Sequence, residues 1–134
     1  MAGGDFRAAI ESGIRGGDRA ALAGAVEATL AENVVFNSPV VFRPYEGRDA
    51  VMTVLRAVFE VLEDFRYEQE FEAGDRHALT FRARVGDREV QGLDLLRLDG
   101  EGKVNELTVM VRPMSGMLAL AEAMKAQLEA AGSS

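Results

Sequence analysis

Apolar residues recur at helical spacing through the first half of the chain and at strand spacing through most of the second. Phe6, Ala9, Ile10 and Ile14 fall three or four residues apart, which puts them on one face of a helix ended by Gly16-Gly17. Asp18 is placed to cap a second helix running to about Ala31, with Leu22, Val26 and Leu30 as its stripe. Asn33 to Phe36 and Val40 to Phe42 read as two short extended runs, stopped by Ser38-Pro39 and by Pro44. After the turn Tyr45-Glu46-Gly47-Arg48, Asp49 can cap a third helix, whose Val51, Val54 or Leu55, Val58 and Leu62 keep the helical period.

The period then drops to two. Phe65, Tyr67, Gln69 and Phe71 alternate with Arg66, Glu68, Glu70 and Glu72, the pattern of a half-buried strand. Past the turn at Gly74-Asp75, His77, Leu79, Phe81, Ala83 and Val85 alternate with Ala78, Thr80, Arg82 and Arg84. A further turn at Gly86-Asp87 leads to Val90–Leu98, where Val90, Gly92, Asp94, Leu96 and Leu98 share one face. Asp99-Gly100-Glu101-Gly102 joins this run to Val104–Arg112, which presents Leu107, Val109 and Val111 on one side. Ser115 is placed to cap a last helix carrying Met117, Leu120 or Ala121, Met124 and Leu128. Helices segregated from a run of sequential antiparallel strands argue for α+β, not for alternating parallel α/β.

Composition narrows the classes. At 134 residues the chain supports one domain, with fraying expected at about 1–4 and 131–134. A net charge of −7 is the wrong sign for a phosphate backbone, so no nucleic acid is expected as partner. There is no cysteine, hence no disulfide, thiolate nucleophile or cysteine metal site. The N-terminal residues lack the basic and apolar blocks of a signal peptide, and no run approaches 18 apolar residues. A cytoplasmic protein with no membrane association is the expectation.

Asp94 stands out chemically, because it is an acid on an otherwise apolar face. Such a group either lines a ligand cavity or is tied to internal donors. His77, the sole histidine, shares a face with Leu79 and Phe81 and is a candidate general base, with an exposed position at the strand's start as the alternative. Tyr67 and Gln69 on the apolar side of their strand need partners, and Asn37 and Ser38 could donate at a pocket or simply form a turn. Arg82, Arg84 and Arg97 point the other way and suit ion pairs with Glu68, Glu70 and Glu72. One histidine and scattered acids show no ligand spacing, so neither a metal nor another cofactor is expected.

The element order, with Gly17-Asp18, Ser38-Pro39, Gly47-Arg48-Asp49 and the stretch GLDLLRLDGEGKVNELTVMV, resembles the nuclear transport factor 2 superfamily, which includes ketosteroid isomerases, scytalone dehydratases and polyketide cyclases. The resemblance implies a cone-shaped, strongly curved antiparallel sheet, N-terminal helices packed on its concave face, a C-terminal helix, and commonly a homodimer. Asp94 looks like the counterpart of the isomerases' hydrogen-bond-donating aspartate. Where those enzymes carry a proton-shuttling aspartate before a proline, this chain has Ser38; where they carry an oxyanion-hole tyrosine on the first helix, it has Ile10. Both replacements argue against ketosteroid isomerase activity itself. The aspartate-histidine and aspartate-arginine-aspartate sets of other superfamily enzymes are incomplete, since Leu107, Val109 and Val111 supply no second acid.

The expected site is therefore an apolar pocket lined by Ile10, Phe36, Ser38, Phe59, Tyr67, Phe81, Leu96, Val109 and Val111, with Asp94 and His77 as its catalytic candidates. It suits a small hydrophobic ligand bearing one or two oxygens. The expected function is an isomerase-, dehydratase- or cyclase-like activity with Asp94 as acid or hydrogen-bond donor. The alternative is a non-catalytic ligand-binding or assembly module, and outward Leu93 and Leu95 suit a homodimer interface.

Overall fold

In the computed structural model, which describes residues 2–132 and the side chains of residues 5–130, four helices cover one side of a curled, unclosed six-stranded sheet. The elements run α1 (Ala2–Gly16), α2 (Arg19–Glu27), β1 (Leu30–Asn37), β2 (Tyr45–Glu46), α3 (Arg48–Val61), β3 (Glu63–Ala73), β4 (Arg76–Val85), β5 (Arg88–Leu98), β6 (Val104–Arg112) and α4 (Met114–Gly132). The fold is α+β, with strand order β2-β1-β6-β5-β4-β3. Four strands, β3 to β6, form the antiparallel meander that the alternation implies. The sheet is not antiparallel throughout, because β1 runs parallel to β6. One helix, α3, and four strands, β2 to β5, lie between these two along the chain, so a crossover connection is available to them. Of the expected fraying, residues 1, 133 and 134 lie outside the described residues, whereas 2–4 and 131–132 are helical.

Local chemistry explains most element ends. Asp18 caps α2, its Oδ1 accepting from the backbone N–H of Ala20 and Ala21. The α1–α2 corner is tight because Gly13 faces Leu22 with no room for a Cβ between them. Asp99 Oδ1 accepts from the N–H groups of Glu101 and Lys103, which closes the β5–β6 turn. Four local expectations fail. The second helix stops at Glu27, so Leu30 opens β1 instead of closing the helical stripe, and Ser115 lies inside α4, which already begins at Met114. The N-cap of α3 is Gly47 at φ +91°, a conformation suited to glycine, and Asp49 sits inside the first turn instead. Val40–Phe42 is not a strand: Ser38 Oγ accepts from the N–H of Val40 and Val41, turning the chain outward and leaving Phe42 fully exposed.

The main departure lies in β3. A register shift between Tyr67 and Gln69 inserts one residue relative to β4 and reverses the alternation beyond it. Phe65 and Tyr67 keep to the concave side and pack against the core, whereas Phe71 is exposed and Glu72 comes opposite His77. The core itself joins Phe6 and Ile10 of α1, Val51, Met52 and Leu55 of α3, and Leu79, Leu96 and Leu107 of the sheet. Among the described residues no helix is long and apolar enough to cross a membrane.

Gly92 is opposite Phe81, and a Cβ there would overlap that ring. Since Phe81 is held at 4.8 Å between ring centroids against Phe65, it cannot swing aside freely. Gly92→Ala is expected to cost about 1–3 kcal/mol of stability by overpacking, read from urea denaturation midpoints. A change below about 0.5 kcal/mol would mean that the ring relaxes without resistance.

Candidate functional site

A cavity of about 530 Å³ opens between the concave face of the sheet and the helices. Its volume is ordinary for a small-molecule site, for which roughly 300–1,000 Å³ is typical. Its walls are chiefly apolar. Phe6 and Ile10 come from α1, Leu55 and Phe59 from α3, and Val109 and Val111 from β6. Leu120 and Met124 of α4 close another side.

Asp94 is the polar group in the depth of this cavity. It stands on β5 opposite Leu79 of β4 and Val109 of β6, and only 7% of its surface is accessible. Tyr67, on the concave side of β3, donates its hydroxyl to Asp94 Oδ2 at 3.0 Å. The phenol is aimed by two contacts on its ring, one of them backed by a third side chain. Phe65 meets its ring edge-on at 4.9 Å, Phe81 stacks behind Phe65, and the Arg7 guanidinium lies 5.5 Å from the Tyr67 ring centre. Arg7 is fixed in turn by Glu70, to which it donates at 2.9 Å, and by Glu11 at 3.3 Å.

Burial sets the protonation of the pair. Desolvation pushes the Asp94 carboxyl up to about 7, and the hydrogen bond from Tyr67 opposes this only in part. The Tyr67 phenol is raised well above its ordinary value, first by burial and then by the charge of Asp94. Near neutral pH the site thus holds a neutral phenol beside a carboxyl poised between its two forms, the condition for acid-base work.

Ile10, Phe36, Ser38, Phe59, Tyr67, Phe81, Val109 and Val111 all line this cavity together with Asp94. His77 and Leu96 do not. They face each other across β4 and β5 and border a smaller depression of about 360 Å³ near the β3–β4 turn. His77 is buried, not exposed on a rim, and its close neighbour is Glu72, with Nδ1 3.0 Å from Oε1. Ser38 lines the mouth, but its oxygen is engaged by the Val40 and Val41 amides. Asp18 and Asp64 also reach the mouth, one occupied as a helix cap and the other bound to Arg84 at 2.6 Å. Gln69 turns away from the cavity because of the bulge. Asn37 serves the sheet, donating to Thr108 and Glu106. Sequence reasoning missed Arg7, whose stacking over Tyr67 depends on how α1 crosses the sheet. The Glu72–His77 pairing was within reach, since a two-residue turn at Gly74-Asp75 sets 72 opposite 77.

A model of the SnoaL-like domain matches residues 6–107. The chain belongs to this family, within the nuclear transport factor 2-like superfamily. Among solved structures, a steroid delta-isomerase from Pseudomonas aeruginosa is 38% identical, with a TM-score of 0.80 over 84% of this chain and 83% of its own. A protein with a cystatin-like fold from Silicibacter pomeroyi DSS-3 is 35% identical, with a TM-score of 0.76 over 78% and 74%. An NTF2-like protein from Mesorhizobium loti is 26% identical, with a TM-score of 0.59 over 68% and 78%. No curated protein matches the chain.

The raised carboxyl gives the SnoaL-like domain a definite pH signature. From about pH 4 to about pH 7 the unfolded chain ionises Asp94 while the folded protein keeps its proton, so stability falls as pH rises and levels off above 7. The linkage amounts to ~4 kcal/mol. Asn carries no titrating proton and preserves the shape. Asp94→Asn is therefore expected to gain on wild type steadily between about pH 4 and pH 7 in denaturant titrations, and to hold that gain above. A stability difference that stays constant over that range would show that the buried carboxyl keeps an ordinary pKa.

Proposed function

We propose that this SnoaL-like protein binds a small hydrophobic molecule carrying a carbonyl or hydroxyl oxygen and acts on it as an isomerase- or dehydratase-like enzyme, with Asp94 as acid or hydrogen-bond donor. The observation that carries this reading is a lone carboxyl, partnered by a single phenol, in the depth of an open apolar cavity. A structural acid would be surrounded by several internal donors; Asp94 has one hydrogen-bond partner among the described residues and faces free volume.

Apolar walls take up the ligand's hydrocarbon by desolvation, at about 25 cal/mol per Å² buried. Its oxygen is then left with the Asp94–Tyr67 pair as its hydrogen-bonding option in the depth of the cavity. A protonated Asp94 donates to that oxygen and stabilises negative charge as it develops during enolisation or loss of a leaving group. Likeness to the Pseudomonas aeruginosa steroid delta-isomerase supports this class of chemistry. With Asp94 holding its proton and the Ser38 oxygen engaged by the Val40 and Val41 amides, the depth of the cavity offers no base among the described residues, and a carbon-bound proton must go to water. That same feature favours the alternative, a non-catalytic ligand-binding module.

A β,γ-unsaturated ketosteroid serves as probe, since conjugation is followed by ultraviolet absorbance and binding by calorimetry. Binding is expected to weaken by about 5- to 100-fold in Asp94→Asn and Tyr67→Phe. Turnover, where present, should fall as pH rises through about 7, because the required form is the protonated one. Wild-type affinity in Asp94→Asn would remove Asp94 from recognition, and binding without conjugation at any pH would favour the module.

The convex side of the sheet is proposed as a homodimer face. Phe71, Leu95 and Met110 are exposed there within a block flanked by arginine–glutamate pairs. Sedimentation of wild type is expected to give a dimer at micromolar concentration, and Leu95→Glu a monomer; a monomeric wild type would sink the assignment.

A further inference from the structure

We propose that Glu70, Glu72 and His77 bind a divalent transition-metal ion of the zinc class, at the turn end of the β3–β4 hairpin and outside the ligand cavity. The β3 bulge creates the arrangement. By reversing the alternation, it brings Glu72 opposite His77 and Glu70 opposite Leu79, on one face of the hairpin. One donor atom from each of the three side chains then lies within 4.8 Å of the other two.

The second observation is the state of His77. The residue is 5% exposed, and its Nδ1 is buried without a hydrogen-bond partner among the described residues. Glu72 Oε1 is nevertheless only 3.0 Å away. The short distance and the missing hydrogen bond are compatible because the carboxylate oxygen lies off the direction in which a ring N–H would point. An imidazole nitrogen and a carboxylate oxygen sharing one ion sit about 2.1 Å from it, roughly 90–110° apart, and so about 3.0–3.4 Å from each other. The ion then occupies the nitrogen's lone-pair axis and the oxygen lies to one side of that axis. A direct ion pair leaves the buried nitrogen misaligned; a shared cation satisfies it.

Ligand chemistry selects the metal. One imidazole and two carboxylates suit zinc and its neighbours better than calcium or magnesium, which take oxygen shells. Two carboxylates balance the charge of a dication, and three protein ligands leave a fourth position open to water on the exposed side. Arg7 holds Oε1 of Glu70, which leaves Oε2 available.

The test is calorimetric titration of the full chain with zinc chloride, backed by the visible absorption of cobalt(II). Wild type is expected to show one saturable site of roughly micromolar affinity or tighter. Glu72→Gln, at a half-exposed surface position, should fold normally and weaken binding at least about tenfold. Glu27→Gln, far from the hairpin turn, should leave it unchanged. Addition of zinc should also shift the His77 ring nitrogen resonances. No saturable binding at millimolar zinc, or wild-type affinity in Glu72→Gln, would overturn the assignment.

Discussion

Keeping one carboxyl group in an apolar cavity is the constraint on which the site depends. Removing an ionised carboxylate from water costs several kcal/mol unless donors replace the lost hydration. Here a single phenol does so, at 3.0 Å. The aromatic contacts around Tyr67 are best understood as holding that donor in place. Phe81 lies over Gly92 and stacks on Phe65, Phe65 buttresses Tyr67, and Arg7 covers the ring's other side. Each part has a local reason, and together they leave Asp94 partly satisfied. Partial satisfaction is what moves its titration close to neutrality.

The bulge in β3 has consequences at both ends of the strand. Before it, Phe65 and Tyr67 point to the cavity; beyond it, the same side of the strand presents Glu70 and Glu72. A regular strand would have sent Gln69 and Phe71 inward and both acids to solvent. One inserted residue thus converts a uniform apolar face into an apolar stretch followed by an acidic one, and gives the buried His77 a charged neighbour. Arg7 links the two stretches, since it pairs with Glu70 while lying over Tyr67.

Local periodicity made much of this legible. The helices, the four-strand meander, the Asp18 cap and the Asp99 turn follow from patterns contained within a few residues. The position of Asp94 was also readable, because strict alternation in Val90–Leu98 places it beside Gly92 and Leu96. The misses share a physical origin. A bulge, the parallel pairing of β1 with β6, and the stacking of Arg7 over Tyr67 are settled by partners on other elements, 11 or more residues away, and alternation along one strand cannot register them. Val40–Phe42 failed for a different reason: its β-branched residues have strand propensity but no neighbour to pair with, and the Ser38 hydroxyl captured its amides. Resemblance to the isomerases located the acid but offered Ile10 where their tyrosine stands. The phenol here comes from the sheet instead of the first helix.

Counting protons shows what the Asp94–Tyr67 pair offers a ligand. With Asp94 ionised, the phenol's one proton goes to the carboxylate, and the pair presents only acceptors to the cavity. With Asp94 protonated there are two hydroxyl protons between the two groups. One satisfies the bond between them and the other is free for a ligand oxygen. The site therefore changes from acceptor to donor as its proton is taken up, and burial places that change near pH 7. A ketone needs the donor form, whereas an alcohol can use either. For a ligand of the proposed class, the preference between a carbonyl and a hydroxyl would thus be governed by the protonation of one buried side chain, with the apolar walls contributing affinity and little discrimination.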